Sequence, residues 1–332
     1  MNSYNATLLH DLVEQALAKL TFPKKPAGLY EPIRYELSLG GKRIRPVFFL
    51  LAAQMYMKDG LTESNMNRAL PWALALEVFH NYTLLHDDVM DNSPLRRGKP
   101  TVHKKWNANT AILSGDAMLL YASQLLADFA TREDWPLIVQ DFVKMGLQVM
   151  EGQQYDMNFE ERVDVTLPEY MEMIRLKTGV LIAKSLKDGA WLGNADRENL
   201  NAVYLYGELV GRAFQLQDDY LDVFGNSKVF GKPIGGDIVE GKKTYLLISA
   251  FQKAEPELRT EMMDRLGKNG DAEEKIKYFT GLYKELGIAD DCSKEIASCY
   301  KKADVLLDSL KCNDEARELL RDYSNSLINR TF

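Results

Sequence analysis

Apolar residues recur at helical spacing along almost the whole chain, and no short stretch alternates in the way a half-buried strand requires. Such a chain can build a core only by stacking helices against one another. Leu8, Leu9, Leu12, Val13, Ala16, Leu17 and Leu20 form one stripe, which predicts an amphipathic opening helix, and Pro23, Pro26 and Pro32 then break the chain. Residues 47–57 are apolar nearly all round, as in a helix buried inside a bundle. Further helical segments are expected over 69–86, 108–130, 135–159, 169–192 and 199–224. Thr166, Pro168 and Glu169 carry the signature of a capped helix start. Beyond residue 254 the helices should become shorter and more charged, as in a peripheral layer. The glycine-rich stretch 225–241 lies between two helical segments and reads as a loop at a functional site, not a domain boundary. The expectation is an all-α fold, one domain over residues 1–332 with ten or more helices.

Composition narrows the function. A net charge of −7 argues against a nucleic-acid binder. Cys292, Cys299 and Cys312 are an odd, sparse set with no histidine beside them, which fits reduced thiols in a cytoplasmic protein better than disulfides or zinc. The N-terminus lacks the pattern of a secretion signal, and no uncharged apolar run reaches the ~18 residues of a membrane span, so none is expected.

Three local patterns carry chemistry. In His86-Asp87-Asp88-Val89-Met90-Asp91 the first and last aspartates share a helix face, with Asp88 one step round. Like charges repel there and oppose the helix dipole, so either the end is merely solvated or a cation sits on it. Oxygen ligands without thiolates or paired imidazoles favour Mg²⁺. Asp218-Asp219-Tyr220-Leu221-Asp222 repeats the spacing at the end of another apolar helix, and two such tips could clamp more than one Mg²⁺ on a diphosphate. The third pattern, Gly40-Gly41-Lys42-Arg43-Ile44-Arg45-Pro46, joins a flexible turn, three cations and a helix start, a phosphate site that needs no metal. Arg96, Arg97 and Lys99 add cations after the first acidic motif, and Phe79, Tyr82, Phe214 and Tyr220 supply apolar, aromatic surroundings. A metal-clamped diphosphate beside a metal-free one suits ionisation of a C–O bond, with π-faces or oxygen dipoles steadying a carbocation. Residues 236–243 approach a phosphate-binding P-loop, but Lys243 stands where Ser or Thr is needed.

Together these residues resemble the trans-isoprenyl diphosphate synthases. GGKRIRP is similar to the family's isopentenyl-diphosphate loop, DDVMD and DDYLD to its two aspartate-rich motifs, Lys177-Thr178-Gly179 to its Lys-Thr pair, and FQLQDDYLDVFGN and GKPIGGDIVEGKKT to its later motifs, all in the family's order. The resemblance implies a helical bundle around a central cavity and a homodimer. The implied reaction joins isopentenyl diphosphate to an allylic diphosphate, by ionisation, attack of the double bond and proton loss. Lys42, Arg45, His80 and Arg97 would bind isopentenyl diphosphate. Asp87, Asp88, Asp91, Asp218, Asp219 and Asp222 would hold Mg²⁺. Arg96, Lys177, Lys232 and Lys242 would meet the allylic diphosphate, while Thr178 and Gln215 would place oxygens near the cationic carbon. Tyr82, five residues before Asp87, with Phe79 behind it, would floor the product tunnel and favour a C20 over a C15 product. A terpene cyclase or a non-catalytic partner subunit shares the fold, but neither is expected to keep both acidic motifs and the basic loop.

Overall fold

A computed structural model describes residues 4–127, 135–225, 234–267 and 271–328. In chain order the elements are α1 (Ala6–Ala18), α2 (Ala27–Leu37), α3 (Ile44–Tyr56), α4 (Glu63–Met90), β1 (Leu95–Arg96), β2 (Lys99–Pro100), α5 (Val102–Lys105), α6 (Ala108–Ala127), α7 (Trp135–Glu160), α8 (Leu167–Ile174), a π-helical turn (Arg175–Gly179), α9 (Val180–Leu192) and α10 (Arg197–Phe224). After it come α11 (Gly236–Glu240), α12 (Tyr245–Lys253), α13 (Pro256–Gly267), α14 (Ala272–Glu285), α15 (Ile288–Ser309) and α16 (Asp314–Ile328). The all-α expectation holds. The chain falls into two compact units: Met1–Phe142 with Ser185–Asn201 and Lys311–Leu320, and Val143–Lys184 with Ala202–Leu310 and Arg321–Phe332.

In the first unit α3 is the buried centre that its sequence predicts, with every residue from Val47 to Ala53 fully inaccessible. Backbone approaches backbone at Gly189 of α9, where a methyl group would overlap the Phe49 carbonyl. Trp72 of α4 fills the space beside them, 5.6 Å from both Phe49 and Trp191 between ring centres. Helix α4 is longer than expected: Thr62 caps it by accepting from the Asn65 N–H, and it runs 28 residues to Met90. At ~1.5 Å per residue that is about 42 Å of rigid support for the acidic motif at its tip.

Two departures concern short elements. Strands β1 and β2 form a minimal hairpin with Leu95 opposite Pro100 and Arg96 opposite Lys99. Its two-residue turn needs positive φ at both positions, which Arg97 (54°) and Gly98 (75°) adopt. The stretch expected as a loop over 225–241 contains α11; residues 226–233 lie outside the described part.

The second unit has its own core, in which Tyr170, Leu246, Phe279, Tyr283 and Cys292 are buried together. The predicted capping box opens α8, with Thr166 accepting from the Glu169 N–H and the Glu169 carboxylate accepting from the Thr166 N–H. The helix expected over 169–192 is not continuous, because the π turn inserts between α8 and α9. Tight packing accompanies the insertion. A methyl at Gly152 would overlap the Lys177 backbone N–H, and one at Gly211 would lie 2.6 Å from Gly179 Cα. The C-terminal helices are also not uniformly short, since α15 has 22 residues and buries Cys292, Ile296, Cys299, Ala303 and Leu307. These recur every three to four residues among charges, which is enough to seat a long helix.

Candidate active site

In the first unit the basic loop is built on backbone that ordinary residues avoid. Gly40 (φ 77°), Gly41 (φ 145°) and Arg43 (φ 45°) all have positive φ. For Arg43 this costs on the order of 1–3 kcal/mol, and its side chain supplies the restraint. The guanidinium, with the residue only 2% exposed, donates from Nε to Glu14 at 2.7 Å, from Nη1 to Glu77 at 2.8 Å and from Nη2 to the Leu37 carbonyl at 2.9 Å. Of the three cations in the motif, Arg43 is therefore turned inward. Lys42 is exposed and Arg45 half-buried in the first turn of α3. Arg97 lies across the glycines, its guanidinium donating to the Gly40 carbonyl, and a side chain at Gly41 would run into it. His80, on α4, is kept neutral: burial, then Arg45, Arg97, Arg96 and Arg43, pull its pKa well below 6.5. It can offer a ligand a hydrogen bond rather than a charge.

At the tip of α4, Asp87 is half-buried and Asp91 exposed, one turn apart. Asp88 turns inward, only 1% exposed, and Arg96 grips both of its oxygens, with Nε at 3.0 and 2.9 Å and Nη2 at 2.6 Å. Here the two residues are committed to each other, so metal binding by Asp88 or diphosphate binding by Arg96 requires this fork to open. Burial still raises the Asp88 pKa. Behind it lies Glu36 of α2, fully buried, with neither carboxyl oxygen hydrogen-bonded. Burial and then Asp88 lift its pKa from 4.5 to about 7, against the pull of Arg96, Arg97 and Arg43. Further back along α4, Phe79 and Tyr82 are buried and edge-on to each other at 5.5 Å. Phe142 of α7 packs on Phe79 at 5.4 Å, and Tyr82 packs on His86 at 4.9 Å.

In the second unit the π turn presents Lys177 and Thr178. Lys177 Nζ donates to Asp156 at 2.6 Å, and Thr178 Oγ1 donates to Gln215 Oε1 at 3.0 Å. Gln215 Nε2 in turn donates to Asp219 Oδ1 at 3.0 Å, while Tyr170 donates to Asp219 Oδ2 at 2.5 Å. With one end of its amide giving and the other receiving, Gln215 has a fixed orientation. Like Asp88, Asp219 faces inward, and in this motif Asp222 is buried as well. Asp222 accepts from the Asp237 N–H at 3.0 Å. Burial raises the pKa of Asp219 and Asp237; repulsion from Asp218 adds to the first, and repulsion from Asp219, Asp222 and Asp218 to the second. Lys242, paired with Glu240 at 3.1 Å, offsets part of the effect on Asp237. Lys232 lies outside the described residues.

Sequence reasoning missed Glu36, Glu77, Tyr170 and Asp237. Only Asp237 left a usable trace, as a carboxylate directly after two glycines in a segment already suspected of function. Among the described residues no three His, Cys, Asp or Glu side chains converge into a ready-made metal cage. The donors nevertheless suit Mg²⁺: all are oxygens, and in the second unit burial, with repulsion between neighbouring carboxylates, raises the pKa of Asp219 and Asp237. An ion that keeps most of its waters and is completed by phosphate oxygens needs only one or two carboxylates per site.

Comparison with known proteins agrees with this chemistry. The family model for polyprenyl synthetase matches residues 26–283. A geranylgeranyl diphosphate synthase of Methanosarcina mazei is 36% identical over 321 residues, 96% of this chain and 95% of that one. A geranylfarnesyl diphosphate synthase of Natronomonas pharaonis is 34% identical over 335 residues, covering 97% and 96%. The crystal structure of a geranylgeranyl pyrophosphate synthase superposes with a TM-score of 0.90 at 40% identity, over 100% of both chains. The chain belongs to the polyprenyl synthetase family and is a trans-prenyltransferase.

Proposed function

We propose that this enzyme condenses isopentenyl diphosphate with an allylic diphosphate to make an all-trans product of short-to-medium length, with geranylgeranyl diphosphate (C20) favoured over the C15 product. The observation that carries the reading is the contrast between two kinds of anion chemistry in one chain. A basic loop offers Lys42 and Arg45 without any metal, and crowded carboxylates at Asp218, Asp219, Asp222 and Asp237 call for a divalent cation.

Asp87, Asp91, Asp218 and Asp222 would hold Mg²⁺, with Asp88 and Asp219 supporting them from behind. Bound Mg²⁺ would neutralise charge building on the departing diphosphate. Lys42, Arg45, Arg97 and neutral His80 bind and orient isopentenyl diphosphate. Lys177, Lys232, Lys242 and, once released from Asp88, Arg96 meet the allylic diphosphate. Thr178 and Gln215 turn oxygen dipoles toward the carbon that becomes cationic, and the fixed amide keeps them there with no reorganisation. The family match runs through segments of both compact units, which supports one catalytic domain over residues 1–332.

The outer face of α6 supports a homodimer. Ile112, Leu113 and Leu120 on it are 44, 60 and 71% exposed. By length and composition α6 could also cross a membrane, with 33% of its apolar window buried. Asp116 sits on that same face, and a carboxylate at mid-bilayer is costly, so a second copy of the chain suits it better. Free cysteines, two of them buried, accord with a cytoplasmic enzyme.

The test is direct. Purified protein given Mg²⁺, isopentenyl diphosphate and dimethylallyl, geranyl or farnesyl diphosphate should yield longer linear diphosphates. Cyclic hydrocarbons, or inorganic phosphate alone, would reject elongation.

A further inference from the structure

The basic loop is held from a direction that its own motif does not contain. Helix α1 lies before residue 26, where the family match begins. It is seated in the first unit by Leu9, Val13 and Leu17, exposed by 0, 0 and 5%. Two polar side chains one turn apart on α1 reach the loop. His10 Nε2 is 3.0 Å from the Gly41 carbonyl, an acceptor only, so this nitrogen carries the proton and donates. Glu14 accepts from Arg43 Nε at 2.7 Å. Residues four apart share a helix face, so a single rigid element fixes the loop on both sides of Lys42. The loop needs such fixing because Gly41 and Arg43 both stand in positive-φ conformations. Lys42, between them, takes its direction from their backbone.

We propose that His10 and Glu14 are positioning residues for isopentenyl diphosphate: through Gly41 and Arg43 they hold the loop in the shape that aims Lys42 and Arg45, which makes α1 part of the substrate site. The inference rests on the reading that this loop binds the diphosphate of isopentenyl diphosphate. Without the latch the loop samples other shapes, and substrate binding must select the competent one, which weakens apparent affinity in proportion. The allylic substrate and the chemical step do not depend on it.

Steady-state kinetics of the full-length protein test this, varying each substrate while the other is saturating, with thermal melts recorded alongside. Glu14→Ala should raise KM for isopentenyl diphosphate about tenfold, in keeping with loss of a charge-assisted hydrogen bond. Its kcat and allylic KM should stay within about twofold. Glu14→Gln, which still offers an oxygen to Arg43, should recover most of the loss. His10→Ala should move the same KM in the same direction, and Lys42→Ala serves as the control. If Lys42→Ala raises that KM while His10→Ala and Glu14→Ala do not, the latch is refuted and the loop assignment survives. If Lys42→Ala leaves it unchanged, the loop assignment itself fails. Equal effects of Glu14→Gln and Glu14→Ala, or a fall in melting temperature with all kinetic constants shifting together, would reduce α1 to a packing element and overturn the proposal. Should Glu14→Ala not fold, His10→Ala and Glu14→Gln still decide between these outcomes.

Discussion

Replacing Glu36 by glutamine should make this protein gain stability over the wild type as the pH rises. Glu36 is fully buried without a hydrogen-bond partner for either oxygen, and its pKa stands at about 7 instead of 4.5. A carboxyl whose folded pKa lies above its unfolded one favours folding while protonated. That contribution is complete below pH 4.5 and is lost as the pH climbs through 7. A displacement of 2.5 pKa units at 1.36 kcal/mol each gives ~3 kcal/mol. Glutamine is close to the neutral acid in shape and never ionises, so its variant escapes the loss. Chemical denaturation of both proteins at pH 5 and pH 8 measures the effect. The stability of Glu36→Gln relative to wild type should improve by about 2–3 kcal/mol between the two pH values. Taking that difference cancels any fixed cost of fitting the amide. A relative stability that is the same at both values would mean that Glu36 ionises freely in the folded protein, and the reasoning from burial would be wrong.

Other outcomes can be checked as directly. Asp87→Ala should lower turnover with Mg²⁺ by about 100-fold or more while the melting temperature holds, since it removes an expected metal ligand and relieves repulsion from Asp88; near-normal activity would take Asp87 out of the ligand set. Tyr82→Ala should shift the products toward longer chains on chromatography of the dephosphorylated alcohols, and an unchanged distribution would remove Tyr82 as the tunnel floor. Gly189→Ala should cost about 3 kcal/mol in denaturation experiments, because the Phe49 carbonyl that the methyl meets belongs to a buried helix; a neutral result would show that α3 and α9 can part there.

Most of the helical architecture was legible because it follows from periodicity, which survives in the one-dimensional chain. The run 47–57 announced a buried helix, and Thr166 with Glu169 announced a helix start. The acidic motifs were legible too, since closely spaced like charges are improbable without a counterion. What stayed hidden depends on partners distant in sequence or on backbone geometry. Asp88 and Arg96 are joined because the chain turns back at the end of α4, where Asn92 takes a φ of 51° and the Ser93 N–H donates to the Asp88 carbonyl. Arg43 looked like one more cation for a ligand until Glu14 and Glu77 met it from two other helices. Glu36 has the type of an exposed residue, and only its position beside Ile33 and Leu37 on α2 carries it inside.

The π turn at Arg175–Gly179 has a consequence for how this enzyme can change over time. A π turn accommodates one residue more than the α-helix around it, so Lys177 and Thr178 are displayed by a surplus in the count rather than by any particular side chain. Point substitutions leave that surplus in place. Deleting a single codon here would cancel the surplus and restore an uninterrupted α-helix, removing the bulge that brings Thr178 to Gln215. The shape of this backbone should therefore survive changes of side chain far better than changes of length.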